Sequence, residues 1–368
     1  MQLLGLVLLA IVILFGHSIL VPIGFSFLLS ITLLPAYRLI KRTKLPDAIA
    51  ILLTLMFAFI ILGIIVAIIS IELSNLLSNT GNLEKNISAH FKEITLWIES
   101  KTGYGIGQQN NFFSQQLSSL KSSGGTILAG TASSLGSVLV WFGLVPLYVF
   151  LILYYKNLLV RFIFLSTNPT YHETAEASIH ETESTLKNYF NGLLLEMAIV
   201  FTMITFALLL FGVKYAVLIA AVFGVLNMIP YIGALIANAM AVLITLSTSA
   251  HLSHTWTVLI VIAVVQFIDN NIIMTYLVSS KVKINGLVSV IAVIIGEAMA
   301  GIGGMFLAIP LVAVLKVIFD KIDSMKYWGM LFGDDKPRLN PLNYPVMRIR
   351  KKLAKKEIEE KQVADEQS

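Results

Sequence analysis

The chain has 368 residues, 57% of them hydrophobic and only 13% charged, with a net charge of +5 and no cysteine. A soluble domain carries about 25% charged residues, so this composition excludes an ordinary water-soluble core. The missing cysteine excludes disulfides, zinc–thiolate sites and thiol nucleophiles.

Apolar runs recur from residue 1 to about residue 330, and a bilayer core needs about 20 such residues per helix. Leu3–Phe15 and Ile19–Ile40 read as a helical hairpin broken near Gly16, His17 and Ser18. Pro22 suits the first turn of the second helix, and Pro35 would kink it. No basic residue precedes the first run and no small-residue cleavage site follows it, so a signal peptide is not expected. The cluster Arg38, Lys41, Arg42 and Lys44 reads as a cytoplasmic turn by the positive-inside rule, not as a nucleic-acid footprint.

Ala48–Ile71 spans outward, with a helical pattern running on towards Leu77. Residues 79–125 form an extramembrane region. In it Leu83, Ile87, Phe91, Ile94 and Ile98 mark an amphipathic helix. Thr126–Tyr155 carries no charge and returns inward as part of a long membrane helix over 126–165. Asn168 and Pro169 can cap and start a second amphipathic helix, expected to lie along the interface over 166–192. Leu193–Val213 then crosses outward.

The transport core is expected over 193–325. Tyr215–Leu246 is interrupted by Asn227, Pro230 and Gly233. Leu287–Leu315 is interrupted by Glu297, Gly301, Gly303, Gly304 and Pro310. Each is too long for one upright helix and too short for two full spans. A re-entrant hairpin buried in protein satisfies this, as does one long kinked or tilted helix. Lys281 and Lys283 fall inside if both segments are hairpins and outside if both are plain spans, so the positive-inside rule favours hairpins. Interrupted segments in matching halves of an inverted repeat point to a transporter's binding site. Between them Trp256–Val278 crosses once. Residues 326–368 read as a polar cytoplasmic tail with the basic run Arg348–Lys356.

Gln266, Asp269 and Asn270 are spaced to share one helix face inside a span. A central carboxylate costs about 2.5–3.5 kcal/mol on insertion scales, so Asp269 needs a cavity, a partner or an ion. Glu297, beside Gly296, is either a protonatable group at exposed helix ends or a wet residue at a hairpin tip. Glu196 lies near the start of its span, where an interfacial position is expected. His172 and His180 are eight residues apart, whereas a zincin helix needs four, so no metal site is expected. No Walker loop, dinucleotide fingerprint or serine elbow is present, so neither a cofactor nor an enzymatic activity is expected.

The order of "NMIPYIG" at 227–233, "QFIDNN" at 266–271 and "GIGGMFLAIP" at 301–310, behind an N-terminal helix pair and a basic turn, resembles the autoinducer-2 exporter family of bacterial membrane proteins. The resemblance covers the chain to about residue 330. It implies a polytopic protein of the bacterial cytoplasmic (inner) membrane with about eight membrane helices; with the two re-entrant hairpins read from the interrupted segments, the expected fold is all-α. It implies homo-oligomers, a pentamer among the forms; the cytoplasmic C-terminus is expected from the order of spans. The family's functions include export of autoinducer-2 and, in some members, sodium/proton exchange. Its functional positions map onto Pro230, Gly233, Gln266, Asp269, Asn270, Gly304 and Pro310. The chain departs from the pattern at Thr275 and Gly286, where the family has prolines, and at Glu297, where it has glycine.

The combined expectation is a secondary transporter exporting a small polar signal or metabolite such as autoinducer-2. Asn227, Pro230, Tyr231, Gly233, Gln266, Asn270, Gly301, Gly304 and Pro310 would line the substrate site. Asp269 and Glu297 would couple protons or cations. The alternatives are a sodium/proton antiporter and a non-transporting membrane scaffold.

Overall fold

The computed structural model describes residues 2–78, 135–230 and 232–334, with scattered helical positions between 86 and 101. Six helices are long and apolar enough to cross a membrane among the described residues, and two shorter apolar helices accompany them. The architecture is an all-α polytopic membrane protein.

Helix α1 (Gln2–Lys41) is one unbroken helix. The expected break at Gly16–Ser18 is absent. Glycine inside a helix costs only about 1 kcal/mol, less than packing along such an element returns. Pro22 and Pro35 both lie inside α1. The hydroxyl of Ser26 donates to the carbonyl of Pro22 at 2.7 Å. Helix α2 (Asp47–Ser78) runs well beyond Ile71, as its pattern predicts. Helix α3 (Leu135–Ser166) returns and packs on α1 and α2. Tyr37, Ala50, Ile51, Val149 and Leu153 form the core of that layer.

Asn168 caps a short 3-10 turn over Pro169–Tyr171, accepting from the Thr170 amide at 3.1 Å. Helix α4 (His172–Leu210) follows without interruption. The amphipathic stretch expected over 166–192 is thus no separate helix; from His172 it is continuous with the crossing that follows, as one helix to Leu210. Its apolar stripe runs straight on through Leu186, Tyr189, Phe190, Leu193, Val200, Ile204 and Leu208, all buried, so nothing favours a bend at residue 192.

Helices α5 (Ala216–Asn227) and α6 (Ile232–Thr248) form the first hairpin. The turn is tight: a Cβ on Gly233 would lie 1.7 Å from the Leu226 carbonyl oxygen. Helix α7 (Leu252–Val282) is α-helical to Ile268, then π-helical over Asp269–Ile273 and Thr275–Ser279. Helix α8 (Gly286–Lys321) is the second hairpin. In a straight helix Gly296 and Gly304 would stand about 12 Å apart. Instead, a Cβ on Gly304 would lie 1.9 Å from the Gly296 carbonyl oxygen. The chain folds back at Ala300 (φ −149°) and Gly301 (φ 58°), the second a left-handed angle that glycine adopts freely. Helix α9 (Lys326–Phe332) closes the described fold.

The hairpins open on opposite faces. The first leaves and returns at Gly212 and Ser249; the second at Asn285 and Ile322. The ion pairs Arg38–Glu183 and Lys321–Glu181, each at 2.9 Å, gather the ends of α1 and α8 and the start of α4 on the face carrying the basic turn. The hairpin tips approach each other, since Ile229 of the first packs on Val293, Met305 and Ala308 of the second. On the face opposite the basic turn, Asn86 and His90 of the intervening segment bond the carbonyls of Ser247 and Ser249.

Candidate functional site

Three elements converge on one buried polar cluster. Glu196 projects from α4, Asn227 ends α5 at the first hairpin tip, and Asp269 begins the first π turn of α7. The Asn227 amide nitrogen donates to Glu196 Oε1 and to Asp269 Oδ2, each at 3.1 Å. Glu196 is 3% exposed and Asp269 2%. Glu196 Oε2 and Asp269 Oδ1 are buried without a hydrogen-bond partner. Among the described residues no cation lies within 4.0 Å of either carboxyl. An amide offers two N–H donors, so one side chain serves both acids and leaves each with one free oxygen.

Local sequence explains the placement. On α7 the buried stripe Val258, Val261, Ile262, Val265 continues at the same spacing to Asp269 and Ile273. On α4 Glu196 stands between Leu193 and Val200 in an otherwise apolar stripe. The expected interfacial position of Glu196 is therefore corrected. It is a core residue, and the stripe through Leu186 and Tyr189 was the signal for it. The π turn adds a residue to the helical repeat just where Asp269 meets Asn227; such turns recur at functional sites.

The expected polar face on α7 is split. Asp269 is buried and Asn270 is exposed, because consecutive helical residues diverge by about 100° and only a narrow arc faces the core. Gln266 is half-buried, its side-chain oxygen 3.5 Å from the Asn238 amide nitrogen of α6. Glu297 is exposed on the second hairpin, and no contact joins it to the pair among the described residues. Pro230 is half-buried, and its carbonyl accepts from the Ile232 amide at 2.8 Å. Tyr231 lies outside the described residues. Gly233 and Gly304 stand at close backbone approaches, which gives each a packing role whatever else it does. Gly301 makes the exposed second tip, and Pro310 is buried in the returning arm.

The sequence model described as "AI-2E family transporter" matches residues 3–324. This chain belongs to that family. It is 26% identical to "Putative transport protein YrrI" of Bacillus subtilis (strain 168) over 315 residues, covering 82% of this chain and 86% of that protein. It is 26% identical to "Putative transport protein YueF" of the same organism over 302 residues, 77% of this chain and 79% of the relative. It is also 26% identical to "Putative permease PerM" of Escherichia coli (strain K12) over 182 residues, about half of each chain. The AI-2E chain is thus a membrane transport protein by family, and the three relatives are named for transport or permeation, not for an enzymatic reaction.

Proposed function

We propose that this AI-2E protein is a secondary transporter of the bacterial inner membrane that exports a small polar signal or metabolite, autoinducer-2 being the family's namesake, with proton coupling at the Glu196–Asp269 pair. The observation that carries the reading is the single Asn227 amide shared by two buried carboxyls. Both carboxyl oxygens lie 3.1 Å from one nitrogen, so they are at most about 6 Å apart. Two full negative charges at that distance repel by about 3 kcal/mol at an effective dielectric of about 20. One proton or one small cation removes that repulsion. Occupancy of the pair is then linked to the position of the first hairpin tip, because Asn227 belongs to that tip.

Opposed hairpins whose tips meet supply the moving part. Polar ligands would meet the helix ends at residues 228–230 and 300–301, with the Gln266–Asn238 contact between α7 and α6 as a further polar group. Glu297 stands apart from the pair, exposed on the second hairpin, so the coupling is assigned to Glu196 and Asp269. The alternative is a sodium/proton antiporter, in which the same two carboxyls take a cation with no organic substrate.

The test uses proteoliposomes preloaded with autoinducer-2, with and without an imposed proton gradient. The reading expects release that rises with the gradient and becomes gradient-independent in Asp269→Asn and Glu196→Gln. A sodium-dependent pH change without release moves the assignment to the antiporter. Neither signal would leave the scaffold reading.

A further inference from the structure

A second site lies outside the polar cluster. An open cavity of about 1010 Å³ is lined by α1, α3, the first half of α4 and the end of α8. Its walls are apolar, with Ile31 and Leu34 from α1, Ile152 and Ile163 from α3, Ile179 from α4 and Ile318 from α8. Buried Leu186, Tyr189, Phe190 and Leu193 stand between it and Glu196 along α4, so it is not an antechamber of the carboxyl pair.

The polar side of this cavity sets Arg38, Lys156 and Lys321 against Glu183 and Asp323. Of its basic residues, Arg38 is paired with Glu183, and Lys321 with Glu181. Lys156 has no carboxylate within 4.0 Å among the described residues, and its ammonium stands 3.9 Å from the centre of the Tyr37 ring. It is a cation without a direct ion pair at the edge of an apolar chamber, with Asp47 and Glu183 near enough to act on it and Asp323 on the lining just past the end of α8. Phe27 lines the same cavity three helical turns, about 16 Å, up α1 from Arg38. Phe27, Leu159 and Ile163 are also open to the outside of the chain. The chamber therefore joins a lipid-facing apolar wall to a cation on the face carrying the basic turn, which is cytoplasmic by the positive-inside rule.

We propose that this cavity binds an anionic glycerophospholipid of the inner leaflet, with its phosphate at Lys156 and its acyl chains against α1 and α3. Basic pockets between membrane helices on the cytoplasmic side suit anionic headgroups, and the apolar volume suits chains that a soluble phosphate lacks. Occupancy would brace α4 against α1 below the carboxyl pair. The proposal is independent of what the protein transports.

The experiment is native mass spectrometry of the full-length protein titrated with phosphatidylglycerol and with phosphatidylcholine of matched chains. The expected result is a preference for phosphatidylglycerol that falls about fivefold in Lys156→Gln, the factor one basic residue contributes at a membrane surface, and survives in Lys156→Arg. Ile163→Trp, which fills an exposed part of the chamber, should reduce binding of both lipids while leaving the melting temperature unchanged. Equal binding of the two lipids by the wild type overturns the proposal. So does an equal loss in Lys281→Gln, which removes an exposed charge from the same face away from the cavity. Competition by soluble glycerol phosphate would show a phosphate site that needs no acyl chain, and would also overturn it.

Discussion

Gly192 of α4 meets the backbone of α7 at Leu277, where a Cβ on the glycine would stand 2.3 Å from the carbonyl oxygen. Gly192 lies one helical turn before Glu196, and Leu277 lies in the second π turn beyond Asp269. This crossing therefore sets the separation of the two helices that carry the buried carboxyls. Gly192→Ala should force them apart at a cost of about 1–3 kcal/mol and impair coupled transport. Gly63→Ala, at a position with open space around it, should do neither. Thermal unfolding in detergent and the proteoliposome assay read the two effects.

Asn227→Leu should remove the one donor that both carboxyls share. Buried acceptors left without a partner cost about 1–3 kcal/mol. The variant should melt lower than the wild type, and adding Glu196→Gln should recover part of the loss, because a neutral amide can then donate to Asp269. Additive losses in a double-mutant cycle would show that the pair is not energetically coupled.

The second hairpin depends on backbone contact between its arms. Gly304→Ala places a methyl group against the Gly296 carbonyl, and the arms must separate. Loss of well-dispersed protein in gel filtration is the expected outcome. Gly286→Ala, with nothing near its missing Cβ, should behave as wild type.

Opposed hairpins fix a topology that labelling can check, helped by the absence of native cysteine. Lys214→Cys lies where the first hairpin leaves α4, and Lys281→Cys where α7 meets the second. An impermeant thiol reagent applied to intact cells should modify the first and spare the second until the membrane is opened. Labelling of both from one side would mean that one segment spans the bilayer.

Much of the fold was legible because its signals are local. Runs of apolar residues, the basic turn at Arg38–Lys44, the cap at Asn168 and the interruptions at Asn227–Gly233 and Gly301–Gly304 each act within a few residues. The break expected at Gly16–Ser18 failed for the same reason inverted: glycine and histidine permit a break but do not compel one. The stretch over 166–192 runs on into the next crossing because amphipathicity shows which face is apolar, not where the helix ends. Asp269 is legible as a costly charge in mid-span, whereas Glu196 lies near the start of its span and reads as interfacial until the apolar stripe of α4 is followed through it.

By itself the sequence determined that this chain is helical, membrane-embedded and twice interrupted in its last third, since hydrophobic run length and backbone-breaking residues are properties of short segments. Only the tertiary structure decided that Glu196, Asn227 and Asp269 are one site. They are separated by 31 and 42 residues along the chain. Their meeting depends on where α4, the first hairpin tip and a π turn cross, and that is set by packing at Gly192 and Gly233, not by any motif spacing.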